Sequence, residues 1–160
     1  MKSEPQVEHQ WLQKLVGEWT SEAEMTMKPG EPLVKAEGTE TVRSLGGLWT
    51  LAEGKGEMPG GGEATTIMTL GYDPKQQRYV GTWVGSMMTN MWIYNGSLDA
   101  AGNALTLNTE GPSMAGDGKM QRYQDVIEFK SDDHRILASQ VLNDDGSWTR
   151  FMTAHYRRKE

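Results

Sequence analysis

The chain of 160 residues contains no cysteine, which excludes disulfides, thiolate metal sites and cysteine nucleophiles. Such staples are not needed at this length, where folding buries about two-thirds of the surface the unfolded chain exposes. An excess of positive charge is also missing. The formal net charge is -6 and the pI is near 5.1. Duplex nucleic acid is a polyanion that needs a cationic face, and anionic membrane surfaces recruit basic segments. Both partner classes are therefore set aside. The one basic cluster, Arg157-Arg158-Lys159 with Glu160 behind it, reads as a solvated end. Long apolar runs are absent too, and no segment approaches the ~18 residues of a spanning helix. The stretch from Met1 to Gln10 lacks the apolar run of about 7–15 residues that a secretory signal requires, so the expected location is cytoplasmic.

Catalytic signatures are equally scarce. His9, His134 and His155 lack metal-type spacing such as His-x-x-x-His. Asn143-Asp144-Asp145-Gly146 has the residue types of a calcium loop without its spacing or closing glutamate, and reads as a turn. Gly60-Gly61-Gly62 follows no strand-to-helix switch, so it is no phosphate cradle. Serine nucleophile signatures are missing. No residue is assigned a catalytic role and no metal site is indicated, while the cofactor is left open.

Glycine (19), methionine (11) and tryptophan (6) are plentiful instead. That combination suggests many turns and a large-ring core, which suits an all-β fold. One helix is predicted first. Val7, Trp11, Leu12, Leu15 and Val16 fall on one face of a 3.6-residue period. Ser3 is the expected cap, with Gln6 completing a capping box, Pro5 in the first turn and Gly17 at the end. A period of two then takes over. From Trp19 to Met27 the odd positions alternate with a polar even set, and Pro29-Gly30-Glu31-Pro32 is a turn. Further strands are predicted over 33–44, 48–56, 64–72, 77–86, 91–98, 104–110, 119–131, 134–142 and 147–158. The joins Ser131-Asp132-Asp133 and Asn143-Asp144-Asp145-Gly146 have hairpin chemistry, and Met58-Pro59-Gly60-Gly61-Gly62 is a loop. A meander of about ten strands would leave two open edges and one apolar face, and closure into a barrel removes both problems. The expected architecture is a single all-β domain over 1–160: an antiparallel up-and-down β-barrel of about ten strands with one short N-terminal helix. A barrel of this size can enclose a partly wet cavity.

The segment Leu12-Gln13-Lys14-Leu15-Val16-Gly17-Glu18-Trp19 carries a helix into Gly-x-Trp and a first strand. This resembles the opening motif of the lipocalin and fatty-acid-binding-protein (calycin) superfamily, whose tryptophan packs across one end of the barrel. A resemblance over nearly the whole chain is carried by Gly38-Thr39-Glu40, Leu45-Gly46-Gly47-Leu48-Trp49, Gly71-Tyr72-Asp73, Trp83 with Ser86-Met87, Tyr94-Asn95-Gly96 and Tyr156-Arg157-Arg158. These are similar to the bacterial family catalogued as domain of unknown function fifteen-seventy-nine. The resemblance implies a fold and a bacterial origin, and supplies no activity. That family commonly has Trp-x-Asp-Ser-Met, where this chain has Trp83-Val84-Gly85-Ser86-Met87, so no role for the acid carries over. A more distant resemblance is to nitrobindin-like haem barrels, which hold iron through a histidine near the C-terminus, the region of His155.

The candidate ligand-binding residues follow from this barrel. Trp19, Trp49, Met68, Trp83, Met87 and Trp92 form, with Met88 and Met91, a set able to line a site for an apolar ligand. On the last strand, Trp148, Arg150, Met152, Ala154 and Tyr156 share one face by alternation. Arg150, or Arg122, could hold a polar head by two parallel hydrogen bonds. Fatty-acid-binding proteins use Arg-x-Tyr on their last strand, and here the spacing to Tyr156 is longer. The alternative for Arg150 is pairing with Glu128 or Asp125. The same alternation turns His155 outward, which weighs against a haem ligand. The expected function is binding of a small, largely apolar molecule in a barrel cavity. The alternatives are a haem-dependent or cofactor-free enzyme within the barrel and a non-catalytic homodimeric interaction protein.

Overall fold

The structure is a computed structural model that describes residues 3–26, 30–58 and 61–159. Helix α1 spans Val7–Gln13. Ten strands follow: β1 Gly17–Met25, β2 Val34–Leu45, β3 Trp49–Glu57, β4 Glu63–Asp73, β5 Arg78–Gly85, β6 Trp92–Leu98, β7 Ala104–Pro112, β8 Met120–Ser131, β9 His134–Leu142 and β10 Trp148–Arg158. Each strand pairs antiparallel with the next, and β1 pairs with both β2 and β10, so the sheet closes. The expected meander and its closure are both present. Parts of two expected turns, Pro29 and Pro59-Gly60, lie outside the described residues, as do Met27 and Lys28 of the extended first strand.

The helix differs from expectation at both ends. It is capped by Gln6 and not Ser3, because the Gln6 backbone N–H donates to His9 Nδ1 at 2.9 Å. That bond fixes the tautomer: His9 Nε2 then donates to the Tyr72 carbonyl at 3.1 Å. Val7 is 75% exposed, so the buried face is His9, Trp11, Leu12 and Leu15. The helix stops at Gln13, ahead of Gly17, which instead opens β1 with φ of 138°. A Cβ on Gly17 would lie 2.5 Å from Arg158 Nη1, so glycine leaves the space that this guanidinium fills.

The helix closes one end of the barrel. Leu12, Trp19, Leu70, Tyr79, Leu105 and Leu107 are almost completely buried there. Burying each of these side chains contributes roughly 1.5–3 kcal/mol. Polar tips of the large rings are tied to backbone. Trp11 Nε1 donates to the Gly102 carbonyl at 2.7 Å, Trp19 Nε1 to Leu15 at 2.9 Å and the Tyr79 hydroxyl to Glu8 at 3.1 Å. Arg158 donates to the carbonyls of Val16 (2.9 Å), Lys14 (3.1 Å) and Asp132 (3.0 Å), and its guanidinium stacks on Trp19 at 4.2 Å. A helix of this length cannot persist alone, and these contacts hold it. The tryptophan of the Gly-x-Trp segment thus packs across the closed end, as the resemblance implied.

Candidate functional site

Inward positions change character halfway along the barrel. Towards the helix they carry Leu, Tyr and Trp side chains. Towards the other end, four consecutive strands present small ones: Ser21 and Ala23 on β1, Ala36 and Gly38 on β2, Gly54 and Gly56 on β3, Ala64 and Thr66 on β4. The register stacks them directly, with Ser21 opposite Gly38, Ala23 opposite Ala36, Gly38 opposite Gly56 and Gly56 opposite Ala64. Small side chains cannot reach the barrel axis, so a cavity of about 750 Å³ remains. This lies within the range of ligand pockets, roughly 300–1,000 Å³.

The opposite wall is aromatic and thioether-rich, with Trp83, Trp92, Tyr123, Phe151 and Met152. Trp92 meets Tyr123 edge-to-face at 5.1 Å, and Tyr123 meets Phe151 at 6.1 Å. The Trp92 ring covers Gly111, whose Cβ, if present, would fall 2.0 Å from it. The Tyr123 hydroxyl donates to the Pro112 carbonyl at 2.7 Å, and Trp92 Nε1 donates to Met88 Sδ at 3.1 Å. At the mouth lie Met25, Met58, Met87, Met88 and Met114. Methionine adapts its shape readily, so the opening can accommodate varied apolar outlines.

The floor is polar, with Glu40 and Tyr156 beside the hydroxyls of Ser21 and Thr66. Glu40 Oε1 accepts a hydrogen bond from Arg135 Nη2, and both side chains are largely buried. The Arg135 guanidinium is sandwiched between the Trp19 ring at 4.6 Å and the Tyr156 ring at 4.1 Å. Burial, reinforced by Glu40, raises the Tyr156 hydroxyl above its ordinary value, so it keeps its proton. Below the floor is a void of about 20 Å³ lined by Arg135, Glu40 and Met68. It has room for one water, a suitable partner for Arg135 Nε, which has none among the described residues. Nearby, Asp125 accepts from Ser139 Oγ at 2.6 Å and from the Tyr94 hydroxyl. Burial raises the Asp125 carboxyl above its ordinary value, and burial together with Asp125 raises Tyr94. None of these three lines the cavity. A separate depression of about 490 Å³ lies on the outside of β2–β4, between Thr41, Arg43, Leu51 and Glu53. It is bounded by one sheet face and has no opposing wall.

Four of the sequence-predicted residues, Trp83, Met87, Trp92 and Tyr156, come together around the cavity. Five do not. Trp19 is completely buried in the helix-side core, and Met68 reaches only the small void beneath the floor. Trp49 points outward and packs its ring on Gly71, where a Cβ would lie 2.3 Å away. Arg122 is on the outer surface, 3.4 Å from Glu110, with both side chains mostly exposed. Arg150 is exposed because alternation fails at a bulge: Arg150 pairs with Gln140 and Met152 with Ser139, leaving Phe151 as the extra residue. Phe151 and Met152 both line the cavity as a result. Neither proposed partner takes Arg150, since Glu128 pairs with Lys130 at 2.8 Å and Asp125 with Tyr94 and Ser139. The inward arginine is Arg135, which sequence reasoning missed together with Glu40 and the small-residue wall. The signal for that wall was present as small residues (Gly, Ala, Ser or Thr) at alternate positions in β1–β4.

His155 does not line the cavity. Its Nδ1 meets His134 Nε2 at 2.9 Å, with the two rings stacked at 5.2 Å. Burial, with Arg157 and His155 adding to it, lowers His134 below its ordinary value. No histidine lines the cavity, so His155 is not placed to hold a haem there.

The sequence profile described as protein of unknown function (DUF1579) matches residues 4–158. The chain belongs to this family. No curated protein matches the chain in sequence. Solved structures do match this DUF1579 chain in fold. Rv2717c from M. tuberculosis superposes with a TM-score of 0.66 at 11% identity, covering 98% of this chain and 100% of that one. The S-type phycobiliprotein lyase CPES from Guillardia theta gives 0.61 at 12% identity, with 98% and 99% covered. A barrel described as EF1p2_mFAP2b bound to DFHBI gives 0.51 at 11% identity, with 94% and 98% covered. At such identities the likeness is one of fold.

Proposed function

We propose that this DUF1579 protein binds a small, largely apolar molecule in the open half of its barrel. The observation that carries the reading is the asymmetry of the cavity wall. Small residues occupy the inward positions of four neighbouring strands, facing Trp83, Trp92, Phe151 and Met152. A barrel evolved only for stability would fill those positions, since well-packed interiors leave few voids larger than a water molecule. A related fold bound to a small molecule, the mFAP2b barrel with DFHBI, is consistent with such use. A polar head near Arg150 or Arg122 is not part of this reading, because both side chains lie outside.

Two experiments test it. Denaturing extraction of the purified protein followed by mass spectrometry is expected to release a stoichiometric apolar compound, or the protein is expected to take up N-phenyl-1-naphthylamine saturably with a blue-shifted emission. The Ala23→Leu/Ala36→Leu double variant, which fills the small-residue wall from two paired positions, is expected to abolish that uptake. Dye binding that is absent, or unchanged in the filled variant, overturns the reading.

A further inference from the structure

We propose that the cavity floor selects ligands with a neutral hydrogen-bonding head, an alcohol or a primary amide, over those ending in a carboxylate or an ammonium group. The proposal deepens the cavity reading above and rests on it. Its basis is the composition of the floor, where Glu40 and the Tyr156 hydroxyl lie beside the neutral hydroxyls of Ser21 and Thr66. Arg135 is the cation beside Glu40, and its charge is already committed, while Lys55, which borders the cavity, is exposed and shared with the outer depression. It donates to Glu40 Oε1 and lies between the rings of Trp19 and Tyr156, beneath the floor and not on it. A carboxylate reaching the floor would therefore meet the Glu40 carboxylate and no free cation there. An ammonium would meet an acid whose charge is already balanced, while losing its own hydration among apolar walls. Burying an unpaired charge is far costlier than burying a hydrogen-bonded neutral group.

A neutral hydroxyl or amide fits both floor groups. Glu40 Oε2 faces the cavity side near Gly54, where an added Cβ would come within 3.9 Å of it, and it can accept a hydrogen bond. Among the described residues no group accepts from the Tyr156 hydroxyl, on which burial and nearby charges act. It remains protonated, so it can donate. A head group that donates to Glu40 and accepts from Tyr156 satisfies both, and an alcohol is the simplest such group. The glycines at 54 and 56 leave room for it, and the chain of the ligand then runs up past Trp83 towards the methionine mouth.

The experiment is displacement of N-phenyl-1-naphthylamine from the full chain by 1-decanol, decanoate and decylamine at pH 7.5. Decanol is expected to displace the dye with an affinity about tenfold or more above either charged analogue, the scale of one well-made hydrogen bond against an unpaired charge. Tyr156→Phe, which keeps the ring on Arg135, is expected to cut decanol affinity about fivefold to tenfold when each affinity is referred to that of the dye for the same variant. Glu40→Gln tests the charge directly if it folds, and is expected to bring decanoate closer to decanol. Decanoate or decylamine binding as tightly as decanol overturns the head-group assignment while leaving the cavity reading intact. So does a decanol advantage that survives Tyr156→Phe, or a bound dye that none of the three displaces. Failure of the dye itself to bind overturns the cavity reading, and the head-group assignment with it.

Discussion

The helix-side half of the barrel and the mouth-side half are made from the same ten strands, yet they solve opposite problems. On the helix side large inward side chains leave only a void of about 20 Å³, and ring nitrogens and hydroxyls are tied to backbone carbonyls. On the mouth side one wall is made of small residues, mostly glycine and alanine, and the other is a run of edge-to-face rings and methionines. The difference lies in side-chain volume at fixed strand geometry. Stability is concentrated where volume is high, and recognition where it is low. The Glu40–Arg135 pair marks the boundary between the two.

The comparison breaks most visibly if a large residue on the helix side proves dispensable. Trp19→Ala removes a completely buried ring that two guanidinium groups stack on. It is expected to lower unfolding free energy by ~3–5 kcal/mol in urea titrations. Trp92→Ala, in the mouth-side half, is expected to cost only about 1–2 kcal/mol and to weaken dye binding about tenfold. A larger stability loss for Trp92 than for Trp19 would reverse the division argued above.

The filled variant Ala23→Leu/Ala36→Leu sharpens the same contrast. It is expected to stay within about 1 kcal/mol of the parent or to gain stability, as cavity-filling substitutions often do, while losing the dye. A loss of several kcal/mol would mean that the wall is small for packing reasons. The smallest effect concerns Asp125, whose carboxyl burial raises above its ordinary value of 3.8. Its contribution to stability is fully present below that unfolded value and is lost as pH rises through the higher folded one. Asp125→Asn removes this titration and keeps an acceptor for Tyr94 or Ser139. The Tm of the variant relative to the parent is expected to climb as pH is raised from about 3.8 to neutrality. A Tm difference independent of pH would show that the carboxyl ionises normally inside the barrel.

Most strands were legible because a period of two survives wherever one face is buried, as in β7 with Leu105, Leu107, Thr109 and Gly111 inward. Tyr156 could be placed near a cavity on the same logic, and Trp83, Met87 and Trp92 by residue type, as members of a tryptophan and methionine set. Arg150 could not, because one inserted residue at Phe151 reverses the faces of everything before it, and a bulge has no compositional mark here. Trp49 misled because a large ring on the outer face also has a use, covering a glycine on the neighbouring strand.

Alternation, turn residues and the absence of cysteine and of basic excess were enough to determine a closed ten-strand barrel with a short helix ahead of it. These are local properties, and each strand announces its own. Which arginine faces inward, which acid it pairs with, and that four separate small-residue stretches stack into one wall were decided only by register across strands. Register brings Glu40 on β2 to Arg135 on β9, residues 95 positions apart in the chain, and no local pattern encodes that meeting.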